Sequence, residues 1–348
     1  MKYALSLAGG GTRGAFQAGV WRALGELGKE ITAITGTSIG AVNGAMFAMG
    51  IDTSDMWSNI SVDDIVDVPS KNSNLLSPVS LVKFARMSAH GGLDTTPFRN
   101  LLDSLISEEK LRNSEIKFGL CTYSVSDKKS VELFVDEIPD GKIVDYILAS
   151  ACFPIFKPIK IDGRDYSDGS IRNNLPVNML IDKGYDTIIS VSVRGVGVIR
   201  ETDNCGVNII KIKCPSPEVG LMDFDTDAIK RSIESGYYEC MKTFGRYAGE
   251  HFSIVRDSYY SAIAHYGSEL IHGLESAGKM IGLEQYKVYS FEELRDAVLS
   301  EYSKHPRLRI LADFIAKSSS SNFIREKLDI LGDTFSAANS IVYLSKQP

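Results

Sequence analysis

The sequence predicts an α/β protein in which helices cover a mostly parallel sheet. Two successive strand-to-helix units at the start of the chain support this prediction. An apolar strand at residues 3–8 precedes a helix at residues 15–27, and a strand at residues 31–35 precedes a helix at residues 41–49. Because each helix returns the chain to the starting edge of the sheet, consecutive units of this kind place their strands in parallel.

Strands and helices continue to alternate beyond these two units. Residues 116–123 and 130–135 are separated by a short polar stretch and predict a hairpin, and residues 159–166 predict a smaller hairpin around Asp162 and Gly163. The β-branched apolar run at 187–193 predicts a buried strand. The other predicted elements are helices at 144–150, 177–183 and 225–247 and a strand at 209–213.

The domain organisation follows from where this pattern weakens. Residues 1–249 form the predicted main domain, and residues 52–112 form a cap or insertion within it, because their periodicity is poor and prolines interrupt them. Residues 250–348 are rich in Glu, Lys, Leu and Ala and predict a helical C-terminal appendage, for which no motif assigns a role. Regulation, membrane docking and oligomer formation all stay open for this region.

Composition excludes some classes of partner. The chain of 348 residues has a net charge of −6, so no global basic field favours nucleic acid. Its five cysteines are scattered and odd in number, which favours a reducing, cytoplasmic location. No apolar run reaches the roughly 20 residues of a transmembrane helix. We therefore expect a cytoplasmic protein that at most docks peripherally on a membrane.

The first glycine turn, residues 9–14, reads G-G-G-T-R-G and matches the G-x-G-x-x-G pattern of dinucleotide sites. Such a site needs an acidic residue about 20 positions later, at the tip of the next strand. Here that strand runs into Gly36, Thr37 and Ser38 instead. A phosphate-binding P-loop also fails, because Ala15 follows the last glycine. A non-catalytic module that binds a nucleotide or a lipid remains one alternative.

The second glycine turn, residues 36–40, reads G-T-S-I-G and places Ser38 between a strand and a helix. Gly36 and Gly40 leave room for a sharp turn that exposes the serine hydroxyl at the start of a helix. This geometry predicts Ser38 as a nucleophile. The backbone N–H groups of the first glycine turn then become candidates for an oxyanion hole beside it. Arg13 either braces that turn, meets a phosphate headgroup or is simply solvated.

A serine nucleophile needs a base, and two candidates compete. None of the five histidines follows a strand and a glycine turn, but His251, His265 and His272 keep open a histidine-triad α/β-hydrolase. Asp168 lies in a tight turn before Gly169, where it serves as the base or only bonds to its own backbone. The residues alone do not separate these two uses of the aspartate.

Taken together, the motifs resemble those of the patatin-like phospholipases. That family shares a G-G-G-x-[RK]-G turn, a G-x-S-x-G turn and a D-G-[GA] turn, which correspond here to residues 9–14, residues 36–40 and Asp168-Gly169. Residues 149–154 are similar to the family's A-S-x-x-x-P stretch. The motifs occur in the family's order and cover the chain from its start to about residue 193. One departure is Ser170, where the family has Gly or Ala.

The resemblance implies a three-layer α/β/α patatin-like fold for residues 1–249, with a Ser–Asp dyad that works without histidine, metal or cofactor. It implies a lipid acyl hydrolase of the phospholipase A or lysophospholipase type, with an acyl lipid as substrate and a membrane surface as transient partner. An oligomer is possible. The roles it assigns are nucleophile for Ser38, base for Asp168, oxyanion hole for Gly9, Gly10 and Gly11, and support for Arg13, Gly36, Gly40 and Gly169. An enzyme held inactive by its cap or tail is a further hypothesis.

Overall fold

The computed structural model describes residues 1–67, 92–201, 206–317 and 332–347. It divides into two compact units, Met1–Cys240 and Met241–Pro348, whereas the sequence places the domain boundary at residue 249. Residues 68–91 of the predicted cap lie outside the described residues.

The first unit is built on one mixed sheet, whose centre is parallel as predicted. Strands β3, β2, β1, β7 and β8 run parallel in that order, while β4, β5 and β6 are antiparallel to their neighbours. Both predicted hairpins are confirmed. The strands are β1 (Lys2–Leu7), β2 (Glu30–Thr37), β3 (Lys117–Ser124), β4 (Lys129–Phe134), β5 (Ile159–Ile161), β6 (Arg164–Asp168), β7 (Thr187–Ser192) and β8 (Asn208–Lys213).

Five of the eight α-helices described in this unit lie at the predicted places, and the other three lie within residues 52–112, where the sequence predicts a poorly periodic cap or insertion. The second helix begins at Ile39, two residues earlier than the sequence indicates, so the predicted turn over residues 36–40 is reduced to Ser38 alone. The helices are α1 (Ala15–Glu26), α2 (Ile39–Ala48), α3 (Ser54–Asn59), α4 (Thr96–Leu105), α5 (Glu108–Arg112), α6 (Ile143–Ser150), α7 (Val177–Asp182) and α8 (Thr226–Thr243).

Helices pack on both faces of this sheet, which gives the three layers. On one face, Gly44 of α2 lets that helix approach Ile34 and Phe118 closely. On the other face, the Thr35 hydroxyl donates to the carbonyl of Pro176, directly before α7, at 3.0 Å. Ile34 and Thr35 point to opposite faces because successive side chains of a strand alternate. The fold class predicted from the sequence is therefore confirmed.

The register of β3 explains how distant parts of the chain meet. One edge of β3 pairs with β4 along Gly119–Ser124, so β2 and β6 must share the opposite edge. On that edge Thr37 of β2 pairs with Cys121, and Asp168 of β6 pairs with Thr122. The last residue of β2 and the last residue of β6 therefore lie opposite neighbouring residues of β3. The residue after Thr37 and the side chain of Asp168 are thereby brought next to each other.

The second unit combines helices with a small sheet. Its elements are β9 (Tyr247–Ala248), β10 (Ser253–Val255), α9 (Arg256–Tyr266), α10 (Ser268–Met280), β11 (Val288–Tyr289), α11 (Phe291–Glu301), α12 (Pro306–Lys317) and α13 (Gly332–Leu344). Helices make up most of this unit, as the sequence predicts. Its strands were not predicted, because they are two or three residues long and too short to show a period of two. Among the described helices of both units, none combines the length and the hydrophobicity of a membrane-spanning segment.

Two helices of the first unit cross at glycines, and this contact gives a test of the fold. A Cβ atom on Gly19 of α1 would collide with the carbonyl oxygen of Ile233 in α8, whereas a Cβ atom on Gly25 of the same helix meets nothing within 4 Å. Gly19→Ala is expected to lower the free energy of unfolding by about 2 kcal/mol or more, because the helices must move apart. Gly25→Ala, the matched control, should raise it by about 0.5–1 kcal/mol. Urea denaturation measures both, and equal effects would contradict the close crossing.

Candidate active site

Ser38 occupies the sharp corner between β2 and α2. Its backbone has φ 57° and ψ −130°, a left-handed conformation that is costly for a residue with a side chain. A Cβ atom on Gly36 would collide with the backbone of Gly40, and one on Gly40 would collide with the carbonyl of Leu7. Both glycines are therefore required by close packing. The corner leaves the Ser38 side chain partly exposed at the start of α2.

A second serine holds the backbone of this corner. The Ser38 N–H donates to Ser150 Oγ at 2.9 Å, and the Ser150 hydroxyl donates to the carbonyl of Cys121 at 2.7 Å. The Thr37 hydroxyl donates to the carbonyl of Asn173 at 2.8 Å. Ser150 thus connects the end of α6 with β3 and with the corner. Sequence reasoning found the stretch around Ser150 but gave this residue no role.

Asp168 ends β6 and is almost completely buried. Its backbone N–H donates to the carbonyl of Cys152 at 2.8 Å, and its Oδ1 accepts a bond of 2.8 Å from the N–H of Ser170. Its Oδ2 is buried and has no hydrogen-bond partner among the described residues. The Ser38 hydroxyl lies near enough to this carboxylate to lower its pKa. The two sequence readings of Asp168 are therefore compatible, because one oxygen closes the turn and the other stays available.

The electrostatics of Asp168 suit a proton acceptor. Burial raises its pKa from 3.8 to about 6, because a carboxylate loses hydration inside the protein. Interactions with the Ser38 side chain and with Ser170 lower the pKa, but they offset only part of the effect of burial. With a pKa of about 6, the carboxylate is largely ionised at neutral pH and is a stronger base than an exposed aspartate.

The first glycine turn lies directly against Ser38. A Cβ atom on Gly9 would come within 2.8 Å of Ser38 Cβ. The Gly9 N–H donates to the backbone and side-chain oxygens of Asn174, both at 3.1 Å, so it is already used. The N–H groups of Gly10 and Gly11 make no hydrogen bond to another described residue. Gly11 has φ +58°, which favours glycine.

Arg13 holds this turn in place from its outer side. Its guanidinium donates to the carbonyl of Val219 at 3.3 Å and to the carbonyl of Arg194. Of the three uses that the sequence left open for Arg13, these contacts support bracing. Gly169 also packs closely, since a Cβ atom there would collide with the carbonyl of Cys121.

With this geometry in view, comparison with known proteins identifies the family. A family profile described as patatin-like phospholipase matches residues 5–181, about half of the chain. The chain belongs to the patatin-like phospholipase family. The family comprises carboxylic ester hydrolases of lipid metabolism.

Individual relatives are distant. Patatin-like phospholipase domain-containing protein 7 of Rattus norvegicus is 27% identical over 205 residues, which cover 58% of this chain and 14% of that protein. An uncharacterized NTE family protein of Mycobacterium bovis is 28% identical over 196 residues, covering 56% of this chain and 49% of that one. The matched part of the chain therefore spans about half or less of these curated relatives. The crystal structure of VipD from Legionella pneumophila aligns over 99% of this chain and 90% of that chain, with 15% identity and a TM-score of 0.44.

Buried polar residues that the sequence analysis did not single out hold the first glycine turn in place. The Gln17 amide donates to the carbonyl of Ala8 at 2.7 Å, where the first glycine turn begins. The Asn43 amide donates to the carbonyl of Gly14 at 2.9 Å and accepts a bond from the Trp57 indole at 3.1 Å. These buried residues fix both ends of the turn. A buried Gln or Asn on an apolar helix face is the sequence signal that would have pointed to them.

Another network fixes the loop after Asp168. Asn173 and Asn178 each donate a bond of 2.8 Å to the Glu132 carboxylate, one to each of its oxygens. This arrangement orients the chain that carries Asn174.

In the described part of the Met1–Cys240 unit there is no histidine, and His251, His265 and His272 belong to the other unit.

Proposed function

We propose that the protein hydrolyses fatty acyl esters of phospholipids or lysophospholipids through an acyl-enzyme on Ser38, with Asp168 as the base. The observation that carries this proposal is the free, buried Oδ2 of Asp168 beside the hydroxyl of Ser38. The unbonded N–H groups of Gly10 and Gly11 supply the oxyanion hole. Gly9 contributes by holding that turn against Asn174 rather than by donating to the substrate.

In the first stage, Ser38 Oγ attacks the ester carbonyl carbon while Asp168 Oδ2 accepts the hydroxyl proton. The carbonyl oxygen takes up the electron pair and accepts bonds from the Gly10 and Gly11 amides. The positive end of α2 favours the same negative charge. When the tetrahedral intermediate collapses, the alcohol leaves with the proton from Asp168 and the acyl group stays on Ser38.

In the second stage, water replaces the alcohol. Asp168 Oδ2 accepts a proton from water, whose oxygen attacks the acyl carbon and forms a second oxyanion in the same hole. The bond to Ser38 Oγ then breaks and the serine regains its proton from Asp168. The fatty acid leaves, and the enzyme returns to its starting state without a redox change or a cofactor.

Fluorophosphonate capture tests the proposed nucleophile. We expect a fluorophosphonate probe to form a phosphorus–oxygen bond at Ser38 with loss of fluoride, which peptide mass spectrometry would locate. The buried neighbours Cys121 and Cys152 should not compete, because burial raises the pKa of each thiol to about 12 and keeps it protonated.

The control for this capture is the heat-unfolded protein, which should not react because the corner and the base are gone. Native protein that is folded but remains unlabelled would favour a binding module over an enzyme. Capture that depends on His251, His265 or His272 would favour a histidine triad instead.

A further inference from the structure

A loop at residues 194–201 is fixed directly against the proposed active site. The N–H of Val198 donates to the carbonyl of Ser170 at 2.9 Å, and the carbonyl of Val198 accepts a bond of 2.6 Å from the N–H of Asn174. Gly195 lies so close to the first glycine turn that a Cβ atom there would collide with the carbonyl of Gly9. The loop therefore touches both the proposed oxyanion turn and the turn after Asp168.

This loop exposes apolar side chains. Val196, Val198 and Ile199 are 60%, 53% and 56% exposed, while the backbone of Val198, between the other two, is hydrogen-bonded inward. Three large apolar side chains within four residues form a patch of the kind that docks on another apolar phase. Because the backbone is already fixed, inserting these side chains costs little conformational entropy.

Arginines surround the apolar patch, although the chain as a whole has a net charge of −6. Arg194 and Arg200 flank the patch, and Arg172 lies on the turn after Asp168; all three are exposed. Arg200 approaches the carboxylate of Glu132, on strand β4, at 3.7 Å, and the loop itself carries one acidic residue, Glu201. Apolar side chains between arginines match a lipid surface with anionic headgroups, because the guanidinium groups stay at headgroup depth while the apolar groups enter the acyl region.

We propose that residues 194–201 form a docking loop that inserts Val196, Val198 and Ile199 into an anionic lipid surface. The inference rests on the proposed function, since it explains how an ester within a lipid layer reaches Ser38. Docking through this loop places the glycine turn at residues 9–11 beside the lipid headgroups. The enzyme then acts at the surface and need not extract a lipid into water.

The test uses the full chain with a Val196→Asp/Ile199→Asp double variant. Vesicles of equal parts phosphatidylcholine and phosphatidylglycerol are sedimented with the protein, and hydrolysis of a short-chain, water-soluble ester is measured in parallel. We expect the variant to bind these vesicles at least about tenfold more weakly and to hydrolyse the soluble ester as the wild type does. The matched control is Ile310→Asp, which changes a residue that is 64% exposed in the other unit and should leave vesicle binding unchanged.

The charge requirement is measured with pure phosphatidylcholine vesicles, to which the wild type should bind about tenfold more weakly than to the mixed vesicles. Unchanged binding of the double variant, an equal loss in Ile310→Asp, or equal wild-type binding to both vesicle types would each overturn the docking loop. Absence of soluble-ester hydrolysis in the wild type would instead overturn the proposed function. The two failures are therefore distinguishable.

Discussion

Ser38→Ala is expected to lower the hydrolysis of an acyl ester by at least about 10⁴-fold, because it removes the hydroxyl that we propose carries the acyl intermediate. The partly exposed hydroxyl of Ser38 lies beside the buried Asp168 carboxylate and the Gly9–Gly11 turn. Fluorophosphonate capture should disappear in the same variant. Turnover of a soluble ester, compared at equal concentrations of folded protein, measures the loss.

Ser38→Gly is the matched control for folding. Glycine removes the same hydroxyl but adopts the left-handed backbone of position 38, where φ is 57°, without the strain of a Cβ atom. We expect it to be as inactive as Ser38→Ala but more stable by about 1 kcal/mol in the free energy of unfolding. Activity retained in either variant would remove Ser38 from the mechanism.

Asp168→Asn is expected to lower turnover by about 10²-fold to 10⁴-fold, because the amide cannot accept the proton of Ser38. In the wild type the base must be ionised, and burial raises the Asp168 pKa to about 6. The kcat/KM of the wild type should therefore rise with pH and level off above about pH 6. A profile that levels off near the ordinary aspartate value of 3.8 would contradict Asp168 as the base.

The same substitution should raise stability at neutral pH. Because the folded-state pKa lies above the unfolded value, the stabilising contribution of protonated Asp168 is present below about pH 4 and is lost as pH rises through about 6. The ionised, buried carboxylate then lowers the free energy of unfolding by up to about 3 kcal/mol. Asp168→Asn avoids this cost while its side-chain oxygen can still accept the bond from Ser170.

The stability difference between Asp168→Asn and the wild type should thus be large at about pH 8 and small below about pH 4, as measured by urea denaturation. Asp165→Asn is the matched control on the same strand. It lies nearer the surface and should change neither turnover nor stability. An Asp168→Asn variant that is inactive and also less stable at about pH 8 would point to a structural role.

Most strands and helices of the first unit were predictable because their signals are local. Apolar runs between glycines fixed β1, β2 and β7 to within a few residues, and the polar stretch between β3 and β4 marked their hairpin. The helical start at Ile39 was missed because the glycines around Ser38 read as turn residues, whereas Gly40 lies in a helix and is needed for close packing on Leu7. The second unit's short strands were missed because they are held by tertiary pairing.

The amino-acid sequence supplies the groups available for chemistry and their order along the chain: a serine between two glycines, a glycine turn before it and an aspartate before a glycine far beyond. How these groups combine depends on the fold. The ends of β2 and β6 meet on one edge of β3 and bring Ser38 next to Asp168. Asn174 accepts the hydrogen bonds of the Gly9 N–H, while the N–H groups of Gly10 and Gly11 stay unbonded among the described residues. Ser38 and Asp168, like Gly9 and Asn174, are more than a hundred positions apart in the sequence. Their contacts are therefore set by the packing of the fold and not by local conformational preference.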